Sequence, residues 1–83
     1  MNPRAKVGDN VRAARLAADI SQEALAGETG LDRTYISGIE RGVRNPTVLV
    51  LVKIADVLAI PPSQLLLGVG SVSHKKKGAS PRD

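Results

Sequence analysis

The sequence predicts an all-α domain of five short helices, on three observations. Apolar residues recur at helical spacing instead of alternating. Cap residues, glycines and prolines punctuate the chain at short intervals. The apolar side chains are almost all aliphatic, with Tyr35 the single aromatic and neither Trp nor Phe present. A core of Leu, Ile, Val and Ala suits closely packed helices better than the faces of a sandwich. Within 83 residues there is room for one such core.

Each element has its own signals. Asn2-Pro3 reads as an N-cap followed by proline at the first helical position, where its missing N–H costs nothing. Val7, Val11, Ala14 and Ala18 then mark one face of a first helix, and Asp19 tolerates the left-handed turn that ends it. Ser21 caps a second helix that stops near Thr29-Gly30. Asp32 caps a third, Arg33 to about Arg41, with Ile36 and Ile39 inward and Gly42 as the stop. Thr47 caps a fourth, reaching Leu58, and Pro61-Pro62 opens a fifth from Ser63 to Leu67. Gly68 and Gly70 close the folded part. The domain is therefore placed at residues 1–70. Residues 71–83 turn to Ser, Lys, Gly and Pro, a composition that predicts a disordered basic tail.

Several classes of function are excluded or disfavoured. With no cysteine there are no disulfides, thiolate metal sites or thiol catalysis. No apolar run approaches the roughly 20 residues that span a bilayer, and Met1-Asn2-Pro3-Arg4 is followed by no apolar signal segment. A cytoplasmic protein that does not engage membranes is expected. His74, the one histidine, falls in the tail, and Gly27-Glu28-Thr29-Gly30 lacks the Gly-Lys-Ser/Thr that completes a phosphate-binding loop. An enzyme is not expected, nor a metal, a cofactor or a small-molecule substrate. The net charge of +4 is weak support for nucleic acid, because Lys75, Lys76, Lys77 and Arg82 against Asp83 leave only +1 on residues 1–70.

The informative stretch is Ser21 to Arg41. Two short helices meet around Gly30, Ala26 is small at their approach, and Leu25, Leu31, Ile36 and Ile39 can fill the wedge between them. This is the pattern of a helix-turn-helix, whose second helix can be presented to the major groove. The spaced set Val11-Arg12, Arg15, Ile20-Ser21-Gln22-Glu23, Leu25-Ala26, Gly30-Leu31, Tyr35-Ile36-Ser37, Ile39-Glu40-Arg41-Gly42, Arg44-Asn45-Pro46, Leu51, Ile54-Ala55 and Leu58 resembles the Cro/phage-repressor family over about residues 7–67. Leu31 to Arg41 is also similar to the controller proteins of restriction–modification systems, which are small dimeric transcription regulators.

That resemblance implies a phage-repressor-type fold and places Arg33, Thr34, Ser37 and Gly38 on the groove-facing side of the recognition helix. Arg33 can offer a bidentate fork to guanine, or be a solvated charge. Thr34 and Ser37 can meet a base edge or a phosphate. Gly38 implies close backbone approach or weaker discrimination, and its helical cost of roughly 1 kcal/mol asks for a packing reason. Gln22, in the first turn of the second helix, is a candidate phosphate contact with the free N–H groups around it. Arg41, Arg44 and Asn45 are candidate backbone contacts. Arg12 reads as a phosphate contact or a surface pair, and Tyr35 either packs across the corner or reaches a phosphate. By resemblance, Arg15 and Glu40 form a buried structural ion pair.

The fourth helix, Val48 to Leu58, is apolar on more sides than one core face absorbs. Leu49 and Val50, with Leu67 and Val69, are read as an apolar patch for a homodimer, which would set two recognition helices about one turn of DNA apart on a palindrome. A tightly wrapped helix in a monomer is the other reading. The function expected is sequence-specific binding of double-stranded DNA in transcription regulation. A protein-interaction or antitoxin-like module on the same fold is the alternative. RNA is disfavoured for want of an aromatic platform.

Overall fold

In the computed structural model, which describes residues 2–70, the chain forms four α-helices followed by a 3-10 turn. The elements are α1 (Pro3–Ala17), α2 (Gln22–Thr29), α3 (Arg33–Glu40), α4 (Val48–Leu58) and the turn Pro62–Leu66. The tail expected over 71–83, with His74 and the three consecutive lysines, lies outside the described residues.

The caps are where the sequence places them. Asn2 accepts from the Arg4 and Ala5 amides, Ser21 from Ala24, Asp32 from Thr34 and Thr47 from Val50. Each cap satisfies N–H groups that have no partner within the helix, which fixes where the helix starts.

The fifth helix is the one element that differs in kind. Pro61 and Pro62 remove two consecutive N–H donors, and the helical run, Pro62–Leu66, is only five residues long before Leu67 leaves helical geometry. That run closes three-residue hydrogen bonds, such as Gln64 N to Pro61 O at 2.9 Å, in place of an α-helical ladder. Asn10 holds this turn against α1, its side-chain amide donating to the carbonyls of Leu65 and Leu67, both at 2.9 Å.

The core is aliphatic throughout. Val11, Leu25, Ile36, Ile39, Ile54 and Leu65 are fully enclosed, one or two from every element. On α4 the stripe Leu51, Ile54, Ala55 and Leu58 faces inward at helical spacing. On α1 the inward face is Val7, Gly8, Val11, Ala14 and Arg15. Ala18, expected to continue that face, is the exposed C-cap, because α1 has already ended at Ala17.

Candidate nucleic-acid interface

The corner between α2 and α3 is built by local chemistry. Gly30 takes the left-handed conformation at φ 76°, which lets the chain turn directly after α2. Thr29 is buried there; its hydroxyl donates to the Leu25 carbonyl at 2.7 Å and accepts from the Leu31 amide at 3.3 Å. That internal tie was not anticipated from the sequence, where Thr29 marks only the helix end. Leu25 and Ala26 then pack against Ile36 and Ile39 within one core.

A buried polar network fixes α3 from behind. Arg15 donates from Nε to Glu40 Oε2 at 2.6 Å, from Nη2 to Oε1 at 3.0 Å, and from Nη1 to the Ile20 carbonyl at 2.9 Å. The two charged side chains are only 10% and 3% exposed, so the paired bonds act with little competition from water. Hydrogen bonding to the Glu40 carboxylate outweighs desolvation and raises the Arg15 pKa above its ordinary value, so the guanidinium stays charged. Gln22 joins the same network, donating from Nε2 to Glu40 Oε1 at 3.0 Å. Its amide donor therefore points to the end of α3, whereas the sequence suggested a phosphate. The helix start it occupies keeps its backbone N–H groups.

The outer face of α3 presents Arg33 and Thr34 exposed and Ser37 half-buried, at helical spacing. Arg41, Arg44 and Asn45 follow, all exposed. Among the described residues the one ion pair is Arg15–Glu40, so Arg12, Arg33, Arg41 and Arg44 carry guanidiniums without carboxylate partners. Tyr35 is half-buried against the core, which favours its packing role while leaving part of the ring accessible.

Two glycines set close approaches. A Cβ at Gly8 would lie 2.3 Å from the Ile39 carbonyl oxygen and 2.6 Å from that of Glu40, so its absence lets α1 touch the end of α3. Gly38, expected on the open face, is buried instead, covered by the side chain of Arg44. Of the two, only Gly38 stands out in the sequence as a costly helix-interior residue; the contacts of both depend on packing that a sequence does not display.

The apolar candidates divide into two kinds. Leu49 is 75% and Leu67 62% exposed, and Val48, not singled out from the sequence, is 74% exposed. Val50 and Val69 are instead partly buried against the core, so they do not belong to a free patch. Leu67 also borders an open groove of about 310 Å³ with Asn10, Ala13, Ala14, Ala17 and Gln64. Among the described residues no cluster of His, Cys, Asp or Glu could hold a metal, and no helix is long and apolar enough to cross a membrane.

Known proteins share this arrangement. The family described as helix-turn-helix matches residues 11–65. The chain is 44% identical over 78 residues to control protein C.BamHI of Bacillus amyloliquefaciens, an alignment spanning 90% of this chain and 96% of that protein. It is 35% identical over 66 residues to the HTH-type transcriptional regulator y4dJ of Sinorhizobium fredii, across 80% and 86% of the two chains. The crystal structure of the restriction-modification controller protein C.AhdI from Aeromonas hydrophila superposes with a TM-score of 0.73 at 44% identity, covering 75% of this chain and 94% of that one. The motif, its capped helices and these similarities agree: the chain belongs to the helix-turn-helix family of DNA-binding transcription regulators.

Proposed function

We propose that this non-enzymatic regulator binds a palindromic operator as a homodimer, with α3 of each copy in the major groove. The observation that carries this reading is the outer row of α3: Arg33, Thr34 and Ser37 on a helix pinned from behind by Arg15 and Glu40. Rigid presentation lets a base-reading group act without first being ordered. In this reading Arg33 reads a guanine through a bidentate contact, and Thr34 and Ser37 add base-edge or methyl contacts. Arg41, Asn45 and the free N–H groups at the start of α2 hold phosphates, with Tyr35 against the sugar-phosphate backbone.

One recognition helix offers few readers, so two copies are part of the proposal. Exposed Val48 and Leu49, joined by Leu67, support a protein contact of this kind. Residues 1–70 act as the DNA-binding unit, and the lysines of 71–83 add sequence-independent phosphate affinity in the cytoplasm, where the target lies. The relatives named as control proteins support a regulator, repressor or controller, that acts beside a restriction–modification system. A protein-interaction or antitoxin-like module is favoured by the same apolar pair, but it leaves the unpaired guanidiniums beside α3 without a role.

Selection of sites from random duplex DNA, followed by titration at several salt concentrations, tests the reading. An enriched inverted repeat is expected, with specific binding well above the salt-sensitive background. Failure to enrich any sequence would remove operator recognition and leave the interaction module.

A further inference from the structure

Gly38 lies in the middle of α3, four residues after Thr34 and therefore in the same row of the helix surface. Glycine inside a helix is unfavourable relative to alanine, and the structure supplies its reason. An ideal Cβ at position 38 would lie 2.6 Å from Cγ and 3.5 Å from Nε of Arg44. The stem of Arg44 thus fills the space that a side chain at 38 would take. The loop is fastened in this arrangement, because the Val43 and Arg44 amides both donate to the Gly38 carbonyl, at 2.9 and 3.2 Å. Gly38 is buried beneath the stem, whereas Arg44 is exposed and has no carboxylate partner among the described residues.

We infer that Gly38 is a positioning residue that seats Arg44 along the reading face of α3, making the loop guanidinium a second base-discriminating group beside Arg33. The inference rests on α3 being the DNA-reading helix. From the sequence, Arg44 is expected on phosphates and Gly38 as a gap among the readers. Here the gap is occupied, by a side chain that enters from the loop and crosses the row holding Thr34. A guanidinium has the planar donor pair that fits guanine O6 and N7. A stem already held against the helix loses less freedom on binding than one that starts in solvent.

The test is site selection and affinity measurement with wild type, Gly38→Ala, Arg44→Ala and the double variant, with thermal melting to monitor the fold. The added Cβ must displace the Arg44 stem. Both single variants are therefore expected to lose preference at the same base position, each by about 5- to 150-fold, the discrimination one bidentate contact carries. In the double variant the stem is gone and the methyl has nothing to displace, so its selectivity should equal that of Arg44→Ala alone.

Gly38→Ala with wild-type preference, or two effects that add in the double variant, would overturn the seating. So would an Arg44→Ala that weakens all sequences alike and lowers the salt slope by about one, the signature of a phosphate contact. If Gly38→Ala alone unfolds, a folded double variant supports the collision with Arg44, and an unfolded one refutes it. A wild type that enriches no site would instead remove the reading of α3 itself, a result distinct from an enriched site that Gly38→Ala leaves unchanged.

Discussion

Arg15 Nε stands 2.6 Å from Glu40 Oε2, which ties the buried end of α1 to the last residue of α3. α3 is thereby oriented by a charge pair as well as by its apolar face. Removing one partner leaves the other buried and unpaired, so Glu40→Gln and Arg15→Ala should each lower stability by about 3–5 kcal/mol. Urea denaturation measures this, and a loss under 1 kcal/mol would show that the pair does not hold the fold. Replacing both by apolar residues of similar volume should recover most of the loss.

Gln22 adds a hydrogen bond to the same carboxylate. Gln22→Ala should reduce stability by about 1 kcal/mol, the net value of a partly exposed bond to a charged group. Gln22→Glu should reduce it further, because it sets a second carboxylate against Glu40. Equal melting temperatures for the two variants would contradict that ordering.

The sequence displayed the capped starts of all four α-helices, since a cap is a local pairing of side chain and backbone. It displayed the helix-turn-helix for the same reason: Gly30 and Asp32 act on their immediate neighbours. What it concealed lies in contacts between distant residues. Gly8 against Ile39, Gln22 against Glu40, and Arg44 across Gly38 all depend on how helices meet. The apolar excess on α4 was legible, but not which side chains stay outside: Val50 turns to the core, whereas Val48 and Leu49 do not. The proline pair signals a helix opening in the sequence, and its removal of two donors decides for the 3-10 turn.

Leu49 is the most exposed large apolar side chain described. Leu49→Glu should shift sedimentation at micromolar concentration from dimer to monomer, with the helical signal unchanged. Val50→Glu should instead lower the melting temperature, because Val50 packs against the core. A Leu49→Glu protein that sediments as wild type would place any dimer contact elsewhere.

Ala59 ends α4 in the left-handed conformation at φ 57°. An L-residue there costs about 1–2 kcal/mol, partly offset by the greater unfolded-state freedom that glycine would bring. Ala59→Gly is therefore expected to stabilise the domain by about 0.5–1 kcal/mol in thermal or urea unfolding. A destabilised variant would mean that the Ala59 methyl group contributes more packing than the turn strains.

Base reading by α3 is tested most directly at Arg33, at the exposed first turn of the helix. Site selection with wild type and Arg33→Ala should show one guanine position in each half-site becoming degenerate, with a loss of about 1–3 kcal/mol on the wild-type operator. Uniform weakening across all sequences, with the base preferences intact, would contradict it and make Arg33 a phosphate contact.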